Sequence, residues 1–258
     1  MITIKFTDNI EHKYNNFEEI LQLDNYNDIV HIKCYDNNLS SLPELPNLLQ
    51  YLYCWNNSLS SLPKLPNSLT EISCNNNNLS SLPGLPNSLT GLDCQHNNLS
   101  KLPELPNSMT RLYCGHNSLS NLPKLPNSLI KLYCYNNSLS SLPELPKSLK
   151  LLHCSNNNLS NLPELPNSLE YLDCEYNSLS SLPQIPKTLK LLLYRDNPIY
   201  IYIKKYFNVD TDKYFEYEKN MKRKFINKIE NWYLDCKYNP KFLYCRKRLM
   251  KEYNELYN

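Results

Sequence analysis

Ten cysteines, five histidines and a series of aromatic residues are the side chains of this 258-residue chain best equipped for chemistry. Eight of the cysteines, Cys34, Cys54, Cys74, Cys94, Cys114, Cys134, Cys154 and Cys174, recur every 20 residues. A thiol column at one strand spacing suits disulfides or a soft metal ion. Against the metal stand the inward slot and the absence of CxxC spacing and of His or carboxylate partners, and against disulfides a period so strict that it marks a repeat position and not a bridge. Small and readily buried, cysteine fits here as a packing residue, with its thiols reduced. His96, His116 and His153 fall at outward positions, with no paired carboxylate or nucleophile in the same turns, so they read as solvated or partner-contacting groups. No phosphate loop, HExxH or GxSxG is found. The expectation is a protein that is not an enzyme and uses no cofactor or metal.

The elements that carry these residues follow from the period. Units such as LTEISCNNNNLSSLPGLPNS (69–88) and LTGLDCQHNNLSKLPELPNS (89–108) open with LxxLxCxxNxL, the leucine-rich-repeat segment with Cys in its third apolar slot. An Asn column, Asn37, Asn57, Asn77, Asn97, Asn117, Asn137, Asn157, Asn177 and Asn197, counts nine copies. Around each Cys the residues alternate, so Ile72 and Cys74 face inward while Glu71, Ser73 and Asn75 face outward, as in a short strand. One strand per turn stacks into a parallel sheet. The second half of each unit reads LPxLP and holds sixteen of the 18 prolines, which predicts an extended, polyproline-like side in place of helices. Leu69, Ile72, Cys74, Leu79, Leu82 and Leu85 form the core columns, and each Asn amide is expected to satisfy backbone groups where the chain leaves the strand. At about 4.8 Å per strand, nine strands span roughly 38 Å, with a shallow arc because the opposite side is thin.

Copies within the chain differ chiefly in the outward strand columns. These hold Tyr51, Tyr53, Trp55, Arg111, Tyr113, Lys131, Tyr133, Tyr135, His153, Tyr171 and Tyr176, together with Asp173 and Glu175. Tyr, Trp and Arg are the types enriched where binding energy concentrates at interfaces. Aromatic residues also suit strands for reasons of packing alone. The functional reading is a partner-binding concave face, anchored by two ring groups: Tyr51, Tyr53 and Trp55, then Tyr113, Tyr133 and Tyr135.

The flanks read as caps for the open ends of a solenoid. In 1–28, ITIKF is a strand and Asn16-Phe17-Glu18-Glu19 a capping box that opens a short helix. Repeats occupy 29–198. In 199–258, Asn197-Pro198 starts a helix over IYIYIKKYF. Beyond it, Met221, Phe225, Ile229, Trp232 and Cys236 form one helical stripe, and Phe242, Cys245, Leu249, Tyr253 and Leu256 a second. The net charge of +2 divides into −4 for 1–28, 0 for 29–198 and +6 for 199–258. Lys222-Arg223-Lys224 and Arg246-Lys247-Arg248 therefore permit nucleic-acid binding, but Glu216, Glu218, Glu230, Glu252 and Glu255 among them favour a solvated helix face. No run of 18 apolar residues occurs and the N-terminus offers no apolar signal core, which predicts a soluble, cytoplasmic monomer without membrane contact.

The unit LPxLPxSLxxLxCxxNxL over about 29–198 resembles the short leucine-rich repeats of bacterial type III secreted effectors. That resemblance implies a protein-binding solenoid with a concave parallel sheet. Some such effectors add a ubiquitin-ligase domain with a Cys-x-Asp nucleophile; here Cys236 precedes Lys237-Tyr238 and Cys245 precedes Arg246-Lys247, so neither matches. With no Ala, abundant Asn and Lys, and the tail NWYLDCKYNPKFLYCRKRLMKEYNEL, the whole chain resembles uncharacterised repeat proteins of amoeba-infecting giant viruses. This second resemblance implies a viral factor acting on host proteins in the host cytoplasm. The alternative is an adaptor whose basic helical tail recruits RNA or an enzyme such as a ubiquitin ligase.

Overall fold

The alternation around each of the eight repeat cysteines, and before Tyr194 in the last turn, makes a strand of three residues, nine in all. These are β3 (His31–Lys33), β4 (Tyr51–Tyr53), β5 (Glu71–Ser73), β6 (Gly91–Asp93), β7 (Arg111–Tyr113), β8 (Lys131–Tyr133), β9 (Leu151–His153), β10 (Tyr171–Asp173) and β11 (Leu191–Leu193). All nine are parallel and pair in register at a shift of 20 residues, as in Leu52 with Ile72 and Ile72 with Leu92. The computed structural model describes residues 1–8 and 10–207, with 212, 213, 215, 216, 219, 220 and 223 beyond them. Two units are distinguished, Met1–Ile201 and Tyr202–Asn258, and the solenoid is the first.

The return from each strand is extended and carries no helix, as the paired prolines require. It closes on a tight turn in which, for example, the Leu69 N–H donates to the Pro66 carbonyl at 3.1 Å. Leu69, Ile72, Cys74 and Leu79 are buried completely or nearly so, whereas Leu82 and Leu85 keep partial exposure. The strand side is thus the tighter seam of the core. Each fully buried Leu or Ile contributes on the order of 1.5–3 kcal/mol, and it does so against the turn above and below.

Three polar columns hold the turns in register. The Asn97 amide oxygen accepts from Leu79 N–H at 2.9 Å, and its nitrogen donates toward the carbonyls of Cys74, Cys94 and Gln95 at 3.0–3.2 Å. Asn57, Asn77, Asn117, Asn137, Asn157, Asn177 and Asn197 repeat this pattern. At the other end of the strand stands a column absent from the sequence reading. The Ser88 hydroxyl shares its hydrogen between the carbonyls of Asn67 and Leu69 in the preceding turn, at 2.7 and 2.6 Å, and Ser68, Ser128, Ser148, Ser168 and Thr188 do likewise. The third column, equally unforeseen, is backbone: the residue before each Asn has φ between 49° and 56°, at Asp36, Asn56, Asn76, His96, His116, Asn136, Asn156, Tyr176 and Asp196. Asn, Asp and His tolerate this left-handed region best, which accounts for eight of the nine; Tyr176 is the exception.

All eight repeat cysteines are free and buried. Their role is more than packing: the thiols of Cys74, Cys94, Cys154 and Cys174 donate to carbonyls of the next strand at 3.4–3.5 Å. Burial pushes Cys34, Cys134 and Cys174 up to about 12 and raises the others as well.

At the N-terminal edge, β1 (Ile2–Lys5) runs antiparallel to β3 and to a further strand, β2 (Glu11–Tyr14), which the polar sequence EHKY had not suggested. Glu11 on β2 pairs with Lys5 at 3.3 Å and Lys33 at 2.8 Å, crossing three strands. Helix α1 (Phe17–Leu21) is capped by Asn16, whose oxygen accepts from Glu19 N–H at 3.0 Å, while the Glu19 carboxylate reaches back to Asn15 N–H and not to Asn16. A 3-10 turn, Tyr26–Asp28, leads into β3. After β11, α2 (Pro198–Phe207) begins at the expected proline, with Ile199 buried and its N–H donating to the Leu179 carbonyl at 2.9 Å. The two amphipathic stripes expected from Met221 onward, and the basic clusters apart from Arg223, lie outside the described residues.

Asn97→Ala removes the acceptor of a buried N–H and the donor to three carbonyls, so it should cost about 3 kcal/mol in urea unfolding, whereas Ser88→Ala should cost only about 1 kcal/mol. Equal effects would remove the distinction between the two columns. Folding keeps the thiols protonated, so their stabilisation is complete below the ordinary thiol value of 9.0 and is lost as pH rises from there toward about 12. In the native protein a polar thiol reagent should accordingly leave the eight repeat cysteines unlabelled at pH 7–8, with labelling following urea unfolding.

Candidate partner-binding face

Three outward positions per turn face away from the core: the first and third residues of each strand and the second residue after it. In-register pairing places like positions of adjacent turns side by side, about 4.8 Å apart. Nearly all the residues singled out in the sequence lie on this lattice. Tyr51 and Tyr53 are on β4 and Trp55 just beyond it; Arg111 and Tyr113 are on β7; Lys131 and Tyr133 on β8, with Tyr135 beyond; His153 is on β9 and Tyr171 on β10. Tyr176 is placed elsewhere. It occupies the left-handed turn column and is 54% exposed, away from the strand positions.

The rings gather into two groups. In the first, His31 lies 5.2 Å from both Tyr51 and Tyr53, and Trp55 stacks on Tyr35 at 4.3 Å with planes 7° apart. His31 and Tyr35, which complete this group, were not among the predicted residues. Burial, with the charges of Lys33 and Lys5, lowers His31 to about 4, so its imidazole is neutral, and its Nε2 is buried without a hydrogen-bond partner. In the second group, Tyr113 and Tyr133 are 5.0 Å apart, Tyr133 meets His153 edge-on at 5.7 Å, and Tyr135 stacks on His153 at 4.4 Å. His116 abuts the edge of Tyr135 at 5.1 Å and stacks on His96 at 4.0 Å. Among the described residues no three metal-ligating side chains converge.

Two glycines explain how side chains lie flat across neighbouring strands. A Cβ on Gly115 would sit 2.5–2.9 Å from the Tyr135 ring, so only glycine leaves room for that ring, whose hydroxyl then donates to Gln95 Oε1 at 2.9 Å, two turns away. Likewise a Cβ on Gly91 would sit 3.1 Å from the Arg111 guanidinium, which crosses β6 to pair with Glu71 on β5 at 3.4 Å. Tyr135 is thereby held on four sides. Such preorganisation spares a binding surface the entropy of ordering its side chains.

Charges on the strands are largely matched. Besides Glu71 with Arg111, buried Asp173 pairs with His153 at 3.1 Å and accepts from the Glu175 N–H at 3.1 Å. Among the described residues Asp93, half-buried, accepts only from Gln95, through its N–H and its side-chain nitrogen at 3.2 Å each. Burial raises the Asp93 carboxyl above its ordinary value, opposed by those two bonds. Lys131 is exposed between Arg111 and Leu151, and Tyr171 lies between Leu151 and Leu191.

No family model matches the chain, and neither does any curated protein. Solved structures do. YopM from Yersinia enterocolitica WA-314 is 42% identical over 63% of this chain and 41% of its own, with a TM-score of 0.57. YopM from Yersinia pestis, a leucine-rich effector protein, is 36% identical over 65% of this chain and 61% of its own, at 0.50. The functional domain of InlJ from Listeria monocytogenes, which includes a cysteine ladder, is 25% identical over 66% of this chain and 45% of its own, at 0.50. The chain thus spans less than two thirds of the length of each. Repeat motif, in-register parallel strands and these likenesses agree: the chain is a leucine-rich-repeat solenoid.

Proposed function

We propose that this solenoid is a non-catalytic interaction module that holds a protein partner against the outward face of β3–β11. The observation that carries the reading is the pair of ring groups on one sheet, built from outward strand columns that vary freely between turns. The Asn amides, the Ser and Thr hydroxyls before the strands and four of the eight repeat thiols, by contrast, bond backbone of a neighbouring turn and belong to the scaffold. Likeness to effector-type leucine-rich-repeat proteins supports the same reading. No described helix is long and apolar enough to cross a membrane. As the setting we propose the cytoplasm of an infected cell, with a monomeric viral factor acting on a host protein; the Ala-free, Asn- and Lys-rich composition motivates it.

Affinity capture from infected or expressing cells, read by mass spectrometry, identifies the partner and makes the face testable. Against that partner, Tyr133→Ala and Trp55→Ala should each weaken binding at least tenfold, about 1.4 kcal/mol, with the fold retained and the melting temperature lowered by only a few degrees, because neither ring faces the core and each loses only its ring contacts. On the proline side, Glu104 and Lys124 line a shallow groove with Pro123 and Pro126, and Glu104→Ala or Lys124→Ala should leave affinity within twofold. Sensitivity confined to that side, or aromatic variants that bind like the parent, would refute the face. Gly115→Ala should displace the Tyr135 ring and cost about 1 kcal/mol of affinity, roughly fivefold, with the fold retained, since the backbone there is not left-handed.

A further inference from the structure

Strands β3–β11 carry three carboxylates: Glu71, Asp93 and Asp173. Two have a base supplied by another strand, Arg111 for Glu71 and His153 for Asp173. At Asp173 the base comes from the same position of the preceding turn, since His153 and Asp173 are register partners. At Asp93 that partner is Ser73, too short to reach it and turned instead to the Asn75 side-chain oxygen at 2.7 Å. Arg111, the guanidinium on the adjacent strand, is occupied across Gly91 with Glu71. His96, the base whose charge acts on Asp93, stacks on His116, and no ion pair joins Asp93 to a base among the described residues.

The surroundings of Asp93 have the form of a seat. Its register partner on the other side is Tyr113, at the start of the second ring group. Tyr135 reaches back over Gly115 to Gln95, and Gln95 is the residue that bonds Asp93. Toward β5 the neighbours are the short side chains Ser73 and Asn75, and beyond them stand Tyr53 and Trp55 of the first group. We infer that Asp93 is the anchor for a cationic side chain, a lysine or arginine of the protein partner, received between the two ring groups and flanked by Tyr113. A partly desolvated carboxylate with two hydrogen bonds and no ion pair has lost water without gaining a contacting counter-ion, and an incoming ammonium or guanidinium supplies one. The ring faces favour a cation over a neutral side chain of the same length.

This inference rests on the concave-face reading and is tested apart from it. A random twelve-residue peptide display library is selected on the whole chain, and only binders lost on Tyr133→Ala or Trp55→Ala are kept. The expected result is a lysine or arginine at one common position in those peptides, absent when selection is repeated on Asp93→Asn. For the best peptide, replacing its arginine by citrulline, or its lysine by norleucine, should weaken binding to the parent about tenfold and binding to Asp93→Asn less than twofold. Face-specific peptides without a basic residue, or a basic preference that survives Asp93→Asn, overturn the inference and leave the concave face standing. Binders that are all indifferent to both aromatic variants, or no binders at all, overturn the face as well.

Discussion

Each turn of this solenoid leaves the strand through a bend in which an N–H and several carbonyls point inward, where water does not reach. A buried unpaired backbone group costs about 1–3 kcal/mol, and eight turns multiply the problem. The Asn amide resolves it because it both donates and accepts, and because it is short enough to bond its own bend and the turn before it. The bend must enter the left-handed region just before that Asn, so the preceding position is held to Asn, Asp or His with the single exception of Tyr176. The Ser hydroxyls secure the other end of each strand. Bonds that link residue i to i−18, i−19, i−21 and i−23 admit no change of repeat length, and strict register follows.

Strict register is what turns outward side chains into a surface. With like positions stacked at one strand spacing, a ring on one turn meets the ring on the next, as Tyr113 meets Tyr133 and Tyr35 meets Trp55. Aromatic pairs at 4.5–7 Å add about 0.5–1.5 kcal/mol beyond burial, so the groups are themselves part of the sheet's stability. A face built this way holds its side chains in place through their neighbours on adjacent turns. Glycine at 91 and 115 then works as an absence, giving Arg111 and Tyr135 a floor on which to lie across a neighbouring strand.

The thiol column belongs to the same economy of space. An inward slot that sits against the next strand's carbonyl accepts a small side chain with a weak donor, and Cys supplies both. Burial raises the thiols instead of activating them, which separates this column from reactive cysteines in open, electropositive sites.

By itself the sequence determined the repeat, its length, the parallel strand at each cysteine, the extended proline side, the inward and outward columns, and the starts of both helices at Asn16 and Asn197. These are local or periodic properties, and a 20-residue period states its own three-dimensional neighbours. The strand Glu11–Tyr14 escaped because its residues are polar and it is held by pairing with β1 and by Glu11 bridging Lys5 and Lys33. The Ser ladder was hidden in a column that reads as ordinary turn sequence, and the left-handed column in residues that also suit loops. On the outward face, the list of residues was legible but their arrangement was not. Which rings stack, that His31, Tyr35 and His153 complete the groups, that Tyr176 stands apart, and that Asp93 alone among the strand carboxylates forms no ion pair among the described residues all depend on side-chain directions across strands 20 or 40 residues apart. Only the stacked sheet decides those directions, because each is set by the size of whatever stands on the neighbouring turn.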